Sequence, residues 1–381
     1  MTYCFITAQY LPVPGGVERY THNLAKELTA RGEHAVVVTS ARPGLPERET
    51  DKDGIEVIRV PGFLALSGRF PVVEAGPAFY RTLDKFLARS DRIVVQTRFY
   101  PLSFFSALRC HKQHKKFILI EHGAGHLNIG SPFWNRCGEW YEHFITSVLR
   151  SRVPAFYAVS HAGCEWLKHF KIDAKGVLYN FIDLPQIEKE THGVGRNSVR
   201  SRYHLPTGRP VVLFTGRLVE EKGVLNLAKA VCLLPEGPDA PVAAFAGFGP
   251  LEKELCSSGD RIRVLGNLPQ KEIFALLKAS DVFCLPSQSE GMSTSMLEAA
   301  ACGCYIITTA CGGNRELISG PEYGTVLPDG SPESIAEALK DILSDPVRRH
   351  AAAEAARQKV DKVFTVSSTC DALQNIPWEE L

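Results

Sequence analysis

Two glutamates, Glu290 and Glu298, stand eight residues apart in "SEGMSTSMLEAAACG" (residues 289–303), with only small, hydroxylated and apolar residues between them. Ionised carboxylates accept hydrogen bonds from sugar hydroxyls, and small residues let a ligand come close to the backbone. The preceding "DVFCLPS" reads as a strand and "SMLEAAACG" as a helix that stops at Gly303. If that helix begins near Gly291–Ser293, the free amides of Gly291, Met292 and Ser293 can hold a phosphate at its positive end. At about 1.5 Å per residue, a helical span of eight sets the carboxylates roughly 12 Å apart. That is about the reach of a nucleoside diphosphate sugar from ribose to hexose. A capping box of Ser295 with Glu298 is the structural alternative for the second glutamate, but it leaves Glu290 unexplained.

A second constellation lies in "LFTGRLVEEKGVLNLAKA", where a strand ends at Thr215-Gly216 and Arg217 and Lys222 precede a new helix. Two cations at the carboxyl end of a strand suit a diphosphate. Glu220 and Glu221 lie between them, so a salt-bridged surface loop is the competing reading. In "QYLPVPGGVERYTHNLAKEL", Gly15 and Gly16 sit between a strand and a helix, where amides can approach an anion or simply make a tight turn. Neither this loop nor "GFGP" at 247–250 completes a dinucleotide fingerprint, so NAD is not expected.

The elements that must position these residues are short apolar runs: "AVVVTS", "RIVVQT", "KFILIEH", "AFYAVS", then "PVVLFTG", "PVAAFAG", "DVFCLPS" and "YIITTA". They alternate with helical patterns such as "VERYTHNLAKELTARG", where Val17, Tyr20, Leu24 and Leu28 recur at helical spacing before Gly32 stops it. Continuously apolar strands between helices imply parallel sheets covered on both faces. Four or more such strands in each half of 381 residues imply two Rossmann-like domains. Ligands of such sheets bind at the carboxyl ends of the strands, here expected to face an interdomain cleft. The expected division is 1–179, 180–361 and a tail at 362–381 bearing Phe364, Leu373 and Trp378, whose return to the first domain is what the family resemblance named below implies.

The bulk chemistry excludes several classes. No apolar run approaches the length needed to cross a bilayer, and the N-terminus reads as a buried strand rather than a signal peptide. Eleven cysteines without paired spacing imply free thiols and a cytoplasmic setting, and the C-x-C of Cys302 and Cys304 lacks a second metal-like pair. Asp51 and Asp53 spell D-x-D but lie in a polar turn. Residues 1–178 carry 23 Lys+Arg and 16 Asp+Glu, a balance of +7, against −6 in the remainder. Such a basic half fits an anionic partner, or plain surface variation.

With these residues on the page, the chain resembles the retaining glycosyltransferases of family 4, with the GT-B fold. "SEGMSTSMLEAAACG" looks like their E-x7-E motif, and "TGRLVEEKG", "GFGP", "LYNFID", "AVSHAG" and "GGNREL" follow in family order. The resemblance implies that Glu290 contacts the transferred sugar, Glu298 the ribose, and Arg217 and Lys222 the diphosphate. It implies a donor loop at Gly15-Gly16 and a histidine near the reacting carbon, His122 in "IEHGAG". No cofactor, metal or nucleic acid is expected. The implied activity moves a hexose from a nucleotide diphosphate sugar, UDP-linked before GDP-linked, to a glycan or lipid-linked acceptor of cell-surface polysaccharide or glycolipid assembly. An epimerase or phosphorylase on the same fold, or an inactive sugar-nucleotide binder, remains open.

"SPFWNRCGEWYEHFITSVLRSR" adds Phe133, Trp134, Trp140, Tyr141 and Phe144 among Arg136, Arg150 and Arg152. Aromatics among arginines suit an anionic membrane surface, which would make the protein peripheral on it. Trp140, Phe144 and Val148 also have the spacing of a helix core.

Overall fold

The computed structural model describes residues 1–13, 15–65, 70–126 and 131–381. These form two compact units, residues Met1–Asn180 with Val366–Leu381, and Phe181–Thr365.

The first unit contains β1 (Thr2–Ile6), β2 (His34–Ser40), β3 (Arg48–Thr50), β4 (Glu56–Val60), β5 (Gly62–Ala65), β6 (Phe70–Val73), β7 (Arg92–Gln96), β8 (Phe117–Glu121), β9 (Ala155–Ala158) and β10 (Gly176–Val177). Among the described residues, an eight-stranded sheet runs in the order β10-β9-β8-β7-β1-β2-β4-β3, and β5 pairs with β6 as a separate hairpin. Every ladder is parallel except β3 with β4 and β5 with β6. The apolar runs explain this arrangement. Ile93 to Val95 and Phe117 to Ile120 are completely buried, as parallel strands covered by helices on both faces must be. Each such Val, Ile or Phe contributes roughly 1.5–3 kcal/mol by leaving water.

The second unit carries β11 (Val211–Thr215), β12 (Val242–Ala246), β13 (Ile262–Gly266), β14 (Val282–Leu285), β15 (Tyr305–Thr309) and β16 (Thr325–Leu327) in an all-parallel sheet of order β13-β12-β11-β14-β15-β16. Strand order reverses between β11 and β14. In the first unit it reverses between β1 and β7. The crevice at such a reversal, beyond the carboxyl ends of the strands, is where open α/β sheets hold ligands. Each unit therefore has one.

The first helix, Gly16–Ala30, ends as its sequence demanded. Gly32 adopts φ +84° and the amide of Glu33 reaches back to the carbonyl of Leu28 at 3.0 Å, closing the last turn. Arg31 extends from that terminus to the C-terminal segment, donating to Glu27, Asp371, Ser367 and Gln374. Leu373 and Trp378 are buried there, with the Trp378 indole donating to the Leu373 carbonyl at 3.1 Å and its ring set edge-on to Tyr3. Phe364, the third expected anchor, lies in the second unit instead. The preceding helix continues to Val363, and the Phe364 carbonyl accepts from the Ile182 amide at 3.1 Å.

Candidate active site

The loops after β11 and β14 carry the expected donor residues to the reversal point of the second sheet. Glu290 and Lys222, 68 positions apart in sequence, form an ion pair at 2.8 Å, and Ser287 donates to the same carboxylate oxygen at 2.8 Å. Both side chains are mostly covered, at 16% and 13% exposure for Lys222 and Glu290, so the pair is shielded better than a surface bridge. Two glycines allow the loops to meet. Gly223, at φ +67°, leaves no room for a Cβ against the Pro286 carbonyl, and Gly312, at φ +51°, leaves none against the Glu290 carbonyl. The backbone of Gly313 then donates to Gly291 at 2.7 Å, pinning the segment that follows Glu290. Gly216 closes β11, its amide bonded to the Ala246 carbonyl at 3.0 Å.

The helix spans Thr294–Ala301 with Ser293 as its N-cap, whose hydroxyl accepts from the Met296 amide at 3.3 Å. The helix therefore begins just after the expected Gly291–Ser293 stretch, with Ser293 as its cap. The Ser295–Glu298 capping box is not formed, because Ser293 already caps the helix and Glu298 lies too far along to reach back. Glu298 is buried instead and accepts from Gln270 of the neighbouring helix at 2.7 Å. Nor is the whole interval between the glutamates helical. Glu290 sits on the loop ahead of the cap, so the 12 Å estimate for a continuous helix does not apply. Arg217 is exposed and pairs with Glu221 at 2.7 Å. This is the surface-loop arrangement, from which Arg217 must swing to meet a diphosphate.

In the first unit, Gly15 is the extended N-cap of helix Gly16–Ala30, and the carboxylate of Glu18 folds back against it. Desolvation chiefly raises the Glu18 carboxyl above its ordinary range, with its own amide, Arg42 and Arg19 opposing. His122 follows β8. Its Nε2 lies 2.6 Å from Oε1 of Gln96, and its ring meets Tyr20 edge-on at 4.9 Å. Desolvation lowers its pKa to about 4, opposed by Glu121, so the ring is neutral at pH 7. The unfolded chain, with histidine near 6.5, binds the proton that the folded chain rejects. Stability therefore rises with pH across this window and is lost as pH falls from about 6.5 towards 4, by up to about 3 kcal/mol. Urea unfolding of the wild type and of His122→Gln across that range should show the slope weakened in the variant. Equal slopes would remove His122 as its source.

The sequence reading overlooked a buried charge cluster beside this histidine. Arg98, at the end of β7, donates to Glu121 and, at 2.6 Å, to Glu142. Its Nε donates to Thr146 at 3.1 Å, and its guanidinium lies over Phe170. Arg98, Glu121 and Glu142 are at most 1% exposed. The other Glu121 oxygen accepts the amides of His122 and Gly123, both at 3.1 Å, fixing the turn that presents the histidine. A charged residue just past or at the close of a largely apolar strand, Arg98 after "RIVVQT" and Glu121 ending "KFILIE", was the available signal.

Other expectations resolve simply. Asp51 makes a turn, its Oδ1 accepting the amides of Asp53 and Ile55 at 2.9 Å. Cys302 and Cys304 donate to carbonyls of helix Gln270–Ala279, and burial pushes the Cys302 thiol up to about 12. All eleven cysteines are free. Within the basic half, Arg109 is held by Asp84 and Lys116 by Glu379, so these two cations are already paired. Helix Pro132–Leu149 turns Phe133, Trp134, Trp140 and Phe144 to solvent at 55–75% exposure, so the core reading of Trp140 and Phe144 is overturned. Its opposite face, with Glu142, Ile145, Thr146 and Leu149, is the buried one.

Two family models match in sequence order, Glycosyltransferase Family 4 over residues 14–186 and Glycosyl transferases group 1 over residues 196–359. An uncharacterised glycosyltransferase of Methanocaldococcus jannaschii is 25% identical over 93% of this chain and 92% of its own. The 2-deoxystreptamine N-acetyl-D-glucosaminyltransferase of Streptomyces fradiae is 31% identical over 90% of this chain and 86% of its own. Among solved structures, Anabaena HepE in complex with UDP superposes with a TM-score of 0.78 at 18% identity, covering 98% of both chains. With its two doubly wound units and its glutamate and lysine at the reversal of the second sheet, the chain belongs to the GT-B glycosyltransferases of group 1 and family 4.

Proposed function

We propose that this protein transfers a hexosyl unit, with retention of configuration, from a nucleotide diphosphate sugar to a glycan or lipid-linked acceptor in cell-surface polysaccharide or glycolipid assembly. The observation that carries this reading is the Lys222–Glu290 pair beside the start of helix Thr294–Ala301. There, a cation and the positive end of the helix face a diphosphate, and a carboxylate faces sugar hydroxyls. In the reaction the bond from the anomeric carbon to the diphosphate breaks, and the acceptor oxygen bonds to the same face. Its proton passes to the departing phosphate oxygen. Arg217, Lys222 and the amides of Gly291, Met292 and Ser293 stabilise the charge gathering on that phosphate. Glu290 orients the hexose, Glu298 the ribose, and neutral His122 serves the sugar near the reacting carbon. No side-chain nucleophile or metal is assigned to the transfer. UDP is preferred to GDP, and the bound UDP of HepE supports that preference. A thermal-shift series with UDP, GDP, ADP and their sugars is expected to show its largest stabilisation with a uridine ligand. Donor consumption without an added acceptor would instead favour an epimerase or phosphorylase.

The acceptor reading rests on the outward aromatic stripe. Phe133, Trp140 and Phe144 share one helix face, with exposed Arg136 and Arg150 on the same helix and its C-terminal cap, and no helix among the described residues is long and apolar enough to cross a membrane. Rings at headgroup depth with arginines at phosphates would give reversible binding, each engaged cation worth roughly 1 kcal/mol. Co-sedimentation with phosphatidylglycerol vesicles should be strong at low salt, fall at high salt and fail in Trp140→Ala/Phe144→Ala. Protein left in the supernatant at low salt would point to a soluble acceptor.

A further inference from the structure

Three imidazoles meet on the first unit, outside the residues assigned to transfer. His126 follows β8, His143 lies within helix Pro132–Leu149, and His169 caps the C-terminal end of helix His161–Lys168. One ligating atom from each falls within 4.8 Å of the other two. Nε2 of His143 is 3.3 Å from Nε2 of His169. Two nitrogens bound to one tetrahedral zinc at 2.0–2.1 Å are about 3.4 Å apart, so this pair already has the separation a shared ion requires. A hydrogen bond between the rings accounts for that distance too, but it leaves His126 unexplained.

His126 supplies the second observation. Among the described residues its buried Nδ1 has no hydrogen-bond partner, and it stands 3.6 Å from Oε2 of Glu142. Glu142 is fully buried and held by Arg98. A carboxylate facing one imidazole nitrogen keeps the proton there and leaves the other nitrogen's lone pair for an ion. The rings are also held in orientation. Trp166 stacks on His169 with 6° between planes and meets His126 edge-on.

We propose that His126, His143 and His169 form a binding site for a divalent ion of the zinc class, with Glu142 as a positioning residue acting through His126 and water completing the tetrahedron. Imidazole sets of this kind suit zinc, copper or nickel better than magnesium or calcium. Closing the triangle from within 4.8 Å to about 3.4 Å asks for an approach of at most about 1.4 Å. The ion would fasten the segment after β8, which begins at His122, to two helices.

The test uses the full chain stripped with a chelator and then titrated with zinc alone. One equivalent is expected to bind saturably at micromolar free zinc. At a hundredfold excess over Kd it should raise the melting temperature by about 5 °C or more. His143→Ala/His169→Ala should abolish both effects and His350→Ala neither. Glu142→Gln should keep the stoichiometry and weaken affinity about 10–100-fold. Cobalt in place of zinc should give tetrahedral d–d bands without a thiolate charge-transfer band, separating this site from the exposed thiols of Cys137, Cys232 and Cys256. Three outcomes would overturn the site and return the pair to a simple imidazole hydrogen bond: no saturable binding, binding that survives the double variant, or a thiolate band.

Discussion

Replacing Glu290 by Gln is expected to lower turnover at least about 100-fold while leaving the fold intact, and Arg217→Ala is expected to do the same. Glutamine preserves the shape of the side chain and one acceptor oxygen. It removes the charge that holds Lys222 at 2.8 Å and takes the hydroxyl of Ser287. Lys222 would then sit in the loop without its counter-ion, and the sugar would lose a charged acceptor whose hydrogen bonds strengthen as the anomeric carbon becomes cationic. In the proposed reaction Arg217 acts at the other end of the breaking bond. Among the described residues it pairs with Glu221 alone, at an exposed position, so its loss should cost the folded state no more than about 0.5 kcal/mol. Its absence should appear in kcat, because the charge it meets develops on the leaving diphosphate. Steady-state kinetics on both purified variants, with thermal melts as the control for folding, decide the matter. A rate near the wild type for either would remove that residue from the active site.

Arg98→Met should be the most damaging single change to stability, at about 3–5 kcal/mol. The guanidinium is the charge that reconciles Glu121 and Glu142, both fully buried, and it packs over Phe170. Methionine fills part of the volume but strands two carboxylates in a region that water does not reach, so they must protonate or the region must open. The melting temperature of the first unit should fall by roughly 6–20 °C. Adding Glu121→Gln and Glu142→Gln to Arg98→Met should recover much of the loss, since the cost lies in unpaired charge rather than in the missing bond. A single variant as stable as the wild type in urea would mean that the cluster is hydrated, and the positioning of His122 through Glu121 would need another source.

The alternation of apolar runs with helical patterns carried most of the architecture, because a strand buried on both faces must be apolar throughout. "KFILIE" and "PVVLFT" therefore read directly as β8 and β11. β13 was harder to see. Its "IRVLG" alternates with arginine and is only partly buried at the sheet edge, where a continuous apolar run is not demanded. Helix ends were legible where a glycine at positive φ decided them, as at Gly32 and Gly303. The start of the helix after Glu290 was not, since Ser293 and Ser295 are both acceptable caps and only the loop geometry favours the first.

The sequence by itself determined which residues could do the chemistry. Glu290, Arg217 and Lys222 stand where strands end and helices begin, and that is a local property of the chain. The tertiary structure alone decided who meets whom. It joined Lys222 to Glu290 across 68 residues, sent Glu298 to Gln270, and tied Arg98 to Glu121 and Glu142. It also decided which face of helix Pro132–Leu149 meets the core. The spacing of Trp140 and Phe144 announces an amphipathic helix, yet the buried face is the one with Glu142 and Thr146, because Arg98 waits there for a carboxylate. Periodicity reports that two faces differ. Which one turns inward depends on partners brought alongside by strand order, and strand order is set by crossovers that no local pattern encodes.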